Sequence, residues 1–155
     1  RSINLAVENH LHLLQEQGIQ ILWQTGKSFS TVKEVFGKQT AFIKEMDLAY
    51  KAADIVISRA GASSLSELSA LGKASVLVPS PNVTEDHQTK NAMALVNKKA
   101  AEIVKDTDAK KDLVPTALNL LADKPRLAEL SKNILALGKP NATDAILNEI
   151  ELLVG

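Results

Sequence analysis

The chain has 155 residues, enough for one domain with a buried core, and 45% of them are hydrophobic, as in an ordinary globular protein. Its 18 basic and 18 acidic side chains cancel, which leaves no electrostatic footprint for nucleic acid. The absence of cysteine excludes disulfides and thiolate metal sites, and no apolar run is long enough to cross a bilayer.

Ile3, Val7, Leu11 and Leu14 recur at helical spacing, so residues 1–14 are expected to form one helix, with Gly18 as its C-cap. An α/β domain that opens on a helix is expected to lack its first strand, as an excised piece of a longer protein would. Residues 19–24 read as a strand ended by Thr25-Gly26-Lys27. A brief helical segment over 30–36 and a strand over 40–43 follow. A helix over 46–53 leads into a strand over 54–58, a helix over 64–71 ended by Gly72, and an apolar strand over 74–78 closed by Pro79. After a polar loop over 80–86, helix is expected over 87–99 and strand over 101–104. The remainder reads as helices over 111–122, 125–137 and 143–153, with Pro125 in a first turn and Gly138-Lys-Pro-Asn141 as a break. Strands alternating with helices imply a Rossmann-like parallel sheet covered on both faces, with ligands outside the carboxyl ends of the strands.

The stretch Asp54-Ile-Val-Ile-Ser-Arg-Ala-Gly-Ala-Ser-Ser-Leu-Ser-Glu67 carries the strongest local signal. A short strand runs into a small-residue turn and then a helix, which places backbone N–H groups and a positive helix end at the sheet's carboxyl edge, where sugars and phosphates bind. Glu67, one turn into the helix, is suited to accept from sugar hydroxyls. The same residues fit a capping box, in which Ser64 and Glu67 satisfy each other's backbone donors. Local pattern favours capping, and the two readings are compatible. In the second candidate loop, His87, Gln88 and Asn91 share a helix face and suit a neutral, hydroxyl-rich sugar; a solvated loop with Asp86 as N-cap is the simpler reading. Asp106-Thr107-Asp108 has the form of a metal-binding Asp-x-Asp, but its lysine-rich surroundings favour a solvated turn. His10 and His12 face different ways and make a poor metal pair, and Trp23 is expected in the core. No P-loop, zinc site or nucleophile triad is present.

Taken together, Phe42-Ile43 with Met46, Ala53-Asp54, Ser58-Arg-Ala-Gly-Ala62, Ser66-Glu67, Pro79 and His87-Gln-Thr-Lys-Asn-Ala92 closely resemble the carboxyl-terminal half of the MurG family. Those enzymes are the peptidoglycan N-acetylglucosaminyltransferases that make lipid II. Arg1-Ser-Ile-Asn4 resembles the residues just after that family's glycine-rich Gly-Gly-Ser-x-Gly-Ala loop. The resemblance spans nearly the whole chain and implies the donor domain of a GT-B enzyme, binding UDP-N-acetylglucosamine with no cofactor and no essential metal.

By position, Ile43 at a strand end would meet the uracil through its backbone, with Phe42 and Met46 as apolar surface. Ala62, Ser63 and Ser64 would present backbone N–H and hydroxyl groups to the nucleotide and diphosphate, Leu65 and Ser66 would complete the substrate-binding stretch, and Glu67 would bind the ribose hydroxyls. Gln88 would hold the N-acetylglucosamine. Gly61 and Asn91 flank the site; His87 stands where some members carry glutamine, and Arg59 lies near the site without an assigned contact. The resemblance further implies a lipid I acceptor held by another domain, no membrane insertion of this one, and a parent protein peripheral on the cytoplasmic face of the bacterial membrane. The chain alone is expected not to catalyse transfer. Other GT-B UDP-sugar transferases or epimerases, a split transferase with a separate partner chain, and a non-catalytic α/β interaction module are the competing readings.

Overall fold

Apolar periodicity sets the architecture. In the computed structural model, which describes residues 1–29, 31, 33–81, 86–139, 147 and 150–153, three short strands form one parallel sheet: β3 (Val56–Ser58), β4 (Ser75–Leu77) and β5 (Glu102–Ile103), in the order β3-β4-β5. Side chains of a strand alternate between faces. Val76 and Val78 therefore join one core with Val104, Leu113 and Leu130, while Leu77 joins the other with Leu65, Leu68, Leu95 and Ile134. The central strand β4 is buried throughout, as a parallel sheet covered on both faces requires.

A second parallel pair, β1 (Ile21–Gln24) and β2 (Gly37–Thr40), lies beside helices α1 (Ser2–Asn9) and α2 (Leu11–Glu16). Val7, Leu11, Leu14 and Trp23 form its core with Val114. Among the described residues β1 pairs only with β2, and β3 only with β4, so each keeps one free edge. The other helices are α3 (Met46–Ala52), α4 (Ala62–Ala70), α5 (His87–Val96), α6 (Ala109–Ala122) and α7 (Lys124–Leu137). α1 packs along α6, and α4 along α7.

Several expected boundaries shift for local reasons. The first helix breaks at His10, whose ring Nδ1 takes the Ala6 carbonyl at 2.8 Å while its own N–H turns to Val7 O. Gly18 does close the second piece. With φ +67° it lets Gly18 N–H reach Gln15 O and Ile19 N–H reach Leu14 O, and Gly72 ends α4 with the same pair of bonds. β2 begins at Gly37, not at Thr40; Phe42 and Ile43 leave the sheet, so Ile43 is not at a strand end. Residues 31 and 33–36 are not helical, and residues 30 and 32 lie outside the described part. α6 starts at Ala109 and carries Pro115 inside it. Asp123 caps α7 by accepting from Arg126 N–H at 3.0 Å, with Pro125 in the first turn as expected. Of the last expected helix, Leu147 and residues 150–153 are helical and exposed, and the others lie outside the described part.

Candidate functional site at the carboxyl edge of the sheet

α4 begins three residues earlier than the capping pattern suggests. Gly61, extended at φ −70° and ψ 145°, is the N-cap and has no side chain to offer. Ser64 and Glu67 therefore fall inside the helix, and no capping box forms. The first-turn amides of α4 are left uncapped by any side chain, at exposed Ala62 and Ser63 and half-buried Ser64. Leu65 turns into the core, whereas Ser66 and Glu67 face out.

Glu67 faces α3. Met46 and Tyr50, four residues apart on one face of α3, line an open cavity of about 330 Å³ together with Asp47, Glu67, Ala70 and Leu71. Lys73 holds α3 in place, donating from Nζ to the Lys51 and Ala53 carbonyls (3.2 and 2.9 Å) at the negative end of that helix. The Tyr50 phenol is buried beside Glu67; burial first, and then the nearby carboxylate's charge, push its pKa above the ordinary tyrosine value. The carboxylate offers lone pairs to a donor. Two residues placed separately by sequence, Met46 and Glu67, thus share one groove, and Tyr50 is a member that sequence reasoning missed. Its spacing from Met46 was the available signal.

Ile43 N–H donates to Gln24 Oε1 at 2.8 Å, so a side-chain amide from the end of β1 occupies the backbone group expected to meet a ligand. Phe42 is 66% exposed and offers apolar surface beside it. At the second loop, Gln88 accepts from Ser80 N–H at 2.9 Å, which leaves its amide NH2 as a donor, and Asn91 Nδ2 bonds the Ala60 carbonyl at 3.3 Å, tying α5 to the turn before α4. His87 opens α5 at an exposed position, and Asp86 caps that helix by position only, without a side-chain bond. Residues 82–85 lie outside the described part.

Arg59 has a definite set of partners. It directly follows β3, and its Nη1 faces the carbonyls of Val78 (3.1 Å) and Pro79 (3.2 Å) at the end of β4 and pairs with Asp106 Oδ1 at 2.5 Å. Its Nη2 donates to Ser2 Oγ at 2.8 Å, and Ser2 in turn donates to Asp106. Asp106 thus lies in the expected turn, whose Thr107 and Asp108 are exposed, but its own carboxylate is engaged by Arg59 and Ser2. Burial raises its pKa, but the hydrogen bonds from Ser2 and Arg59, with the Arg59 charge, outweigh that and hold the carboxyl below its ordinary value. Asp108 instead accepts from the Thr107 hydroxyl. A larger open cavity of about 820 Å³ lies beyond Asp106, between α5 and α6. Among the described residues, no group of three or more His, Asp or Glu side chains is placed to hold a metal ion.

Comparison with known proteins agrees with this layout. The family described as the glycosyltransferase family 28 C-terminal domain matches residues 1–146. The chain belongs to that family. Similar family members include transferases from Cytophaga hutchinsonii (49% identical, covering 97% of this chain and 42% of the relative) and Parabacteroides distasonis (49% identical, 99% and 44%). Both are named UDP-N-acetylglucosamine--N-acetylmuramyl-(pentapeptide) pyrophosphoryl-undecaprenol N-acetylglucosamine transferase. The crystal structure of Acinetobacter baumannii MurG superposes with a TM-score of 0.77 at 27% identity, over 94% of this chain and 46% of that one. The likeness to the MurG family and the Rossmann-like fold class are thus borne out. The chain spans less than half the length of these relatives.

Proposed function

We propose that this chain is the donor-binding half of a GT-B N-acetylglucosaminyltransferase that transfers N-acetylglucosamine from UDP to lipid I, forming lipid II. The observation that carries this reading is the groove between α3 and α4, where Met46 supplies an apolar wall and Tyr50 lies beside Glu67, which stands on the helix whose first-turn amides are left uncapped by any side chain. An apolar wall, a carboxylate for vicinal hydroxyls and, at the start of the same helix, amides for phosphate are the chemistry that a nucleoside diphosphate requires. Uridine would lie along α3 and Phe42, its base reaching Ile43 by displacing Gln24. Glu67 would take the ribose diol, and the Gln88 amide would donate to the sugar.

Transfer with inversion needs a base to take the proton from the acceptor's 4-hydroxyl while the bond from the sugar's anomeric carbon to the UDP oxygen breaks. The first-turn amides of α4 would stabilise charge on the departing UDP. The base and the lipid acceptor would be held by a second domain, with the parent protein peripheral on the cytoplasmic face of the membrane; no helix among the described residues is long and apolar enough to cross one. The 155-residue chain alone is accordingly expected to bind donor without turnover. Calorimetry with UDP-N-acetylglucosamine, UDP-glucose and AMP tests this, alongside a transfer assay with a lipid I analogue. Binding of the first in preference to the others is expected, with no product; equal binding of AMP overturns the donor reading, and turnover overturns the expected inactivity.

A further inference from the structure

We propose that Arg59 is a positioning residue that locks the Val78–Ser80 segment, on which the Gln88 side chain rests, against the first turn of α1, and that Asp106 and Ser2 hold it there. This rests on the donor reading and deepens it. The four groups come from separate parts of the chain: Ser2 opens α1, Arg59 follows β3, the Val78 and Pro79 carbonyls follow β4, and Asp106 follows β5. All lie at the carboxyl edge of the sheet, so one guanidinium joins the ends of three neighbouring strands to the start of a helix.

The bonds are those a planar fork makes and a point charge does not. Nη1 donates to carbonyls just past the end of β4, and Nη2 donates to Ser2 Oγ, whose hydroxyl donates on to Asp106. The ion pair is partly buried, with the Arg59 and Asp106 side chains 31% and 23% exposed, so the Arg59 charge is balanced by a carboxylate within the protein. Directly after Pro79 comes Ser80, whose N–H is held by Gln88. Fixing the Pro79 carbonyl therefore fixes the backbone on which the Gln88 side chain rests, and does so relative to α1. The uridine groove between α3 and α4 shares no residue with this cluster.

That separation gives the test. On the 155-residue chain, affinities for uridine and for UDP-N-acetylglucosamine are measured by calorimetry for the unaltered chain, Asp106→Asn, Ser2→Ala, Arg59→Gln and the Arg59→Gln/Asp106→Asn double variant, with thermal midpoints alongside. Positioning predicts uridine affinity unchanged throughout. UDP-N-acetylglucosamine affinity falls about tenfold in Asp106→Asn and Arg59→Gln alike, less in Ser2→Ala, and no further in the double variant, since the groups act as one unit. If Arg59 instead binds the diphosphate directly through its charge, Asp106→Asn frees that charge and binding holds or improves, which overturns the proposal. Parallel loss of both ligands with a lowered midpoint also overturns it, as a general loss of fold. An unaltered chain that binds no uridine refutes the donor reading itself, a result distinct from either.

Discussion

Replacing Glu67 with Gln removes one charge from the α3–α4 groove while keeping size and an acceptor beside Tyr50. A hydrogen bond to a charged group contributes about 1.5–3 kcal/mol. Because Glu67 is exposed and its groove is open, the lower end applies, and about 1.5 kcal/mol corresponds to roughly a tenfold loss of uridine affinity. Tyr50→Phe, which leaves the carboxylate charged but removes the phenol hydroxyl beside it, is expected to cost only about two- to threefold. The assay is calorimetry with uridine and with 2′,3′-dideoxyuridine. The Glu67→Gln loss is expected with uridine and absent with the dideoxy compound, since the diol is the group read. The thermal midpoint is expected to stay put, because an exposed side chain without a tertiary ion pair contributes little to stability. An equal loss with both nucleosides, or none with uridine, would refute the ribose assignment.

The fold makes further predictions. Ser75 is fully buried and its hydroxyl is without a hydrogen-bond partner among the described residues, so Ser75→Ala is expected to stabilise the chain by about 1 kcal/mol in urea unfolding. Gly37 sits at φ +137°, and a Cβ there would lie 2.1 Å from Ile21 O across the β1–β2 pair; Gly37→Ala is expected to cost about 2 kcal/mol or more, read as a lowered thermal midpoint. The Asp106 carboxyl has a lower pKa folded than unfolded, so its contribution is fully present above the ordinary carboxylate range and is lost as pH falls through the folded value. Urea unfolding at neutral pH and at about pH 3 is expected to show a smaller acid loss for Asp106→Asn than for the unaltered chain.

What was legible in the sequence followed local periodicity. β3, β4 and the ends of α2 and α4 announce themselves through apolar runs and through Gly18 and Gly72, which take the left-handed backbone a helix end needs. β2 did not, because Gly37-Lys-Gln-Thr40 is polar and half exposed; its register with β1 is set by pairing across the sheet and not by a hydrophobic pattern. The capping box failed because Gly61 starts the helix early, a backbone event that side-chain spacing does not encode. At the site, the motif residues Met46 and Glu67, named from separate segments, line one groove. Arg59 and Asp106 are 47 residues apart and meet only because β3 and β5 flank β4, so no local signal joined them. Gln24 was missed for the same reason, since its partner Ile43 lies beyond β2.

The central claim is that the carboxyl edge of this sheet binds a uridine diphosphate sugar, and a titration of isotope-labelled chain with UDP-N-acetylglucosamine followed by NMR tests it most directly. Saturable, selective shifts are expected at Ile43, at Ala62 through Glu67, and at Gln88, with weaker shifts at Gln88 for UDP-glucose and none anywhere for AMP. A well-dispersed, folded spectrum that does not move with UDP-N-acetylglucosamine, or that moves at residues remote from the α3–α4 groove, would contradict it.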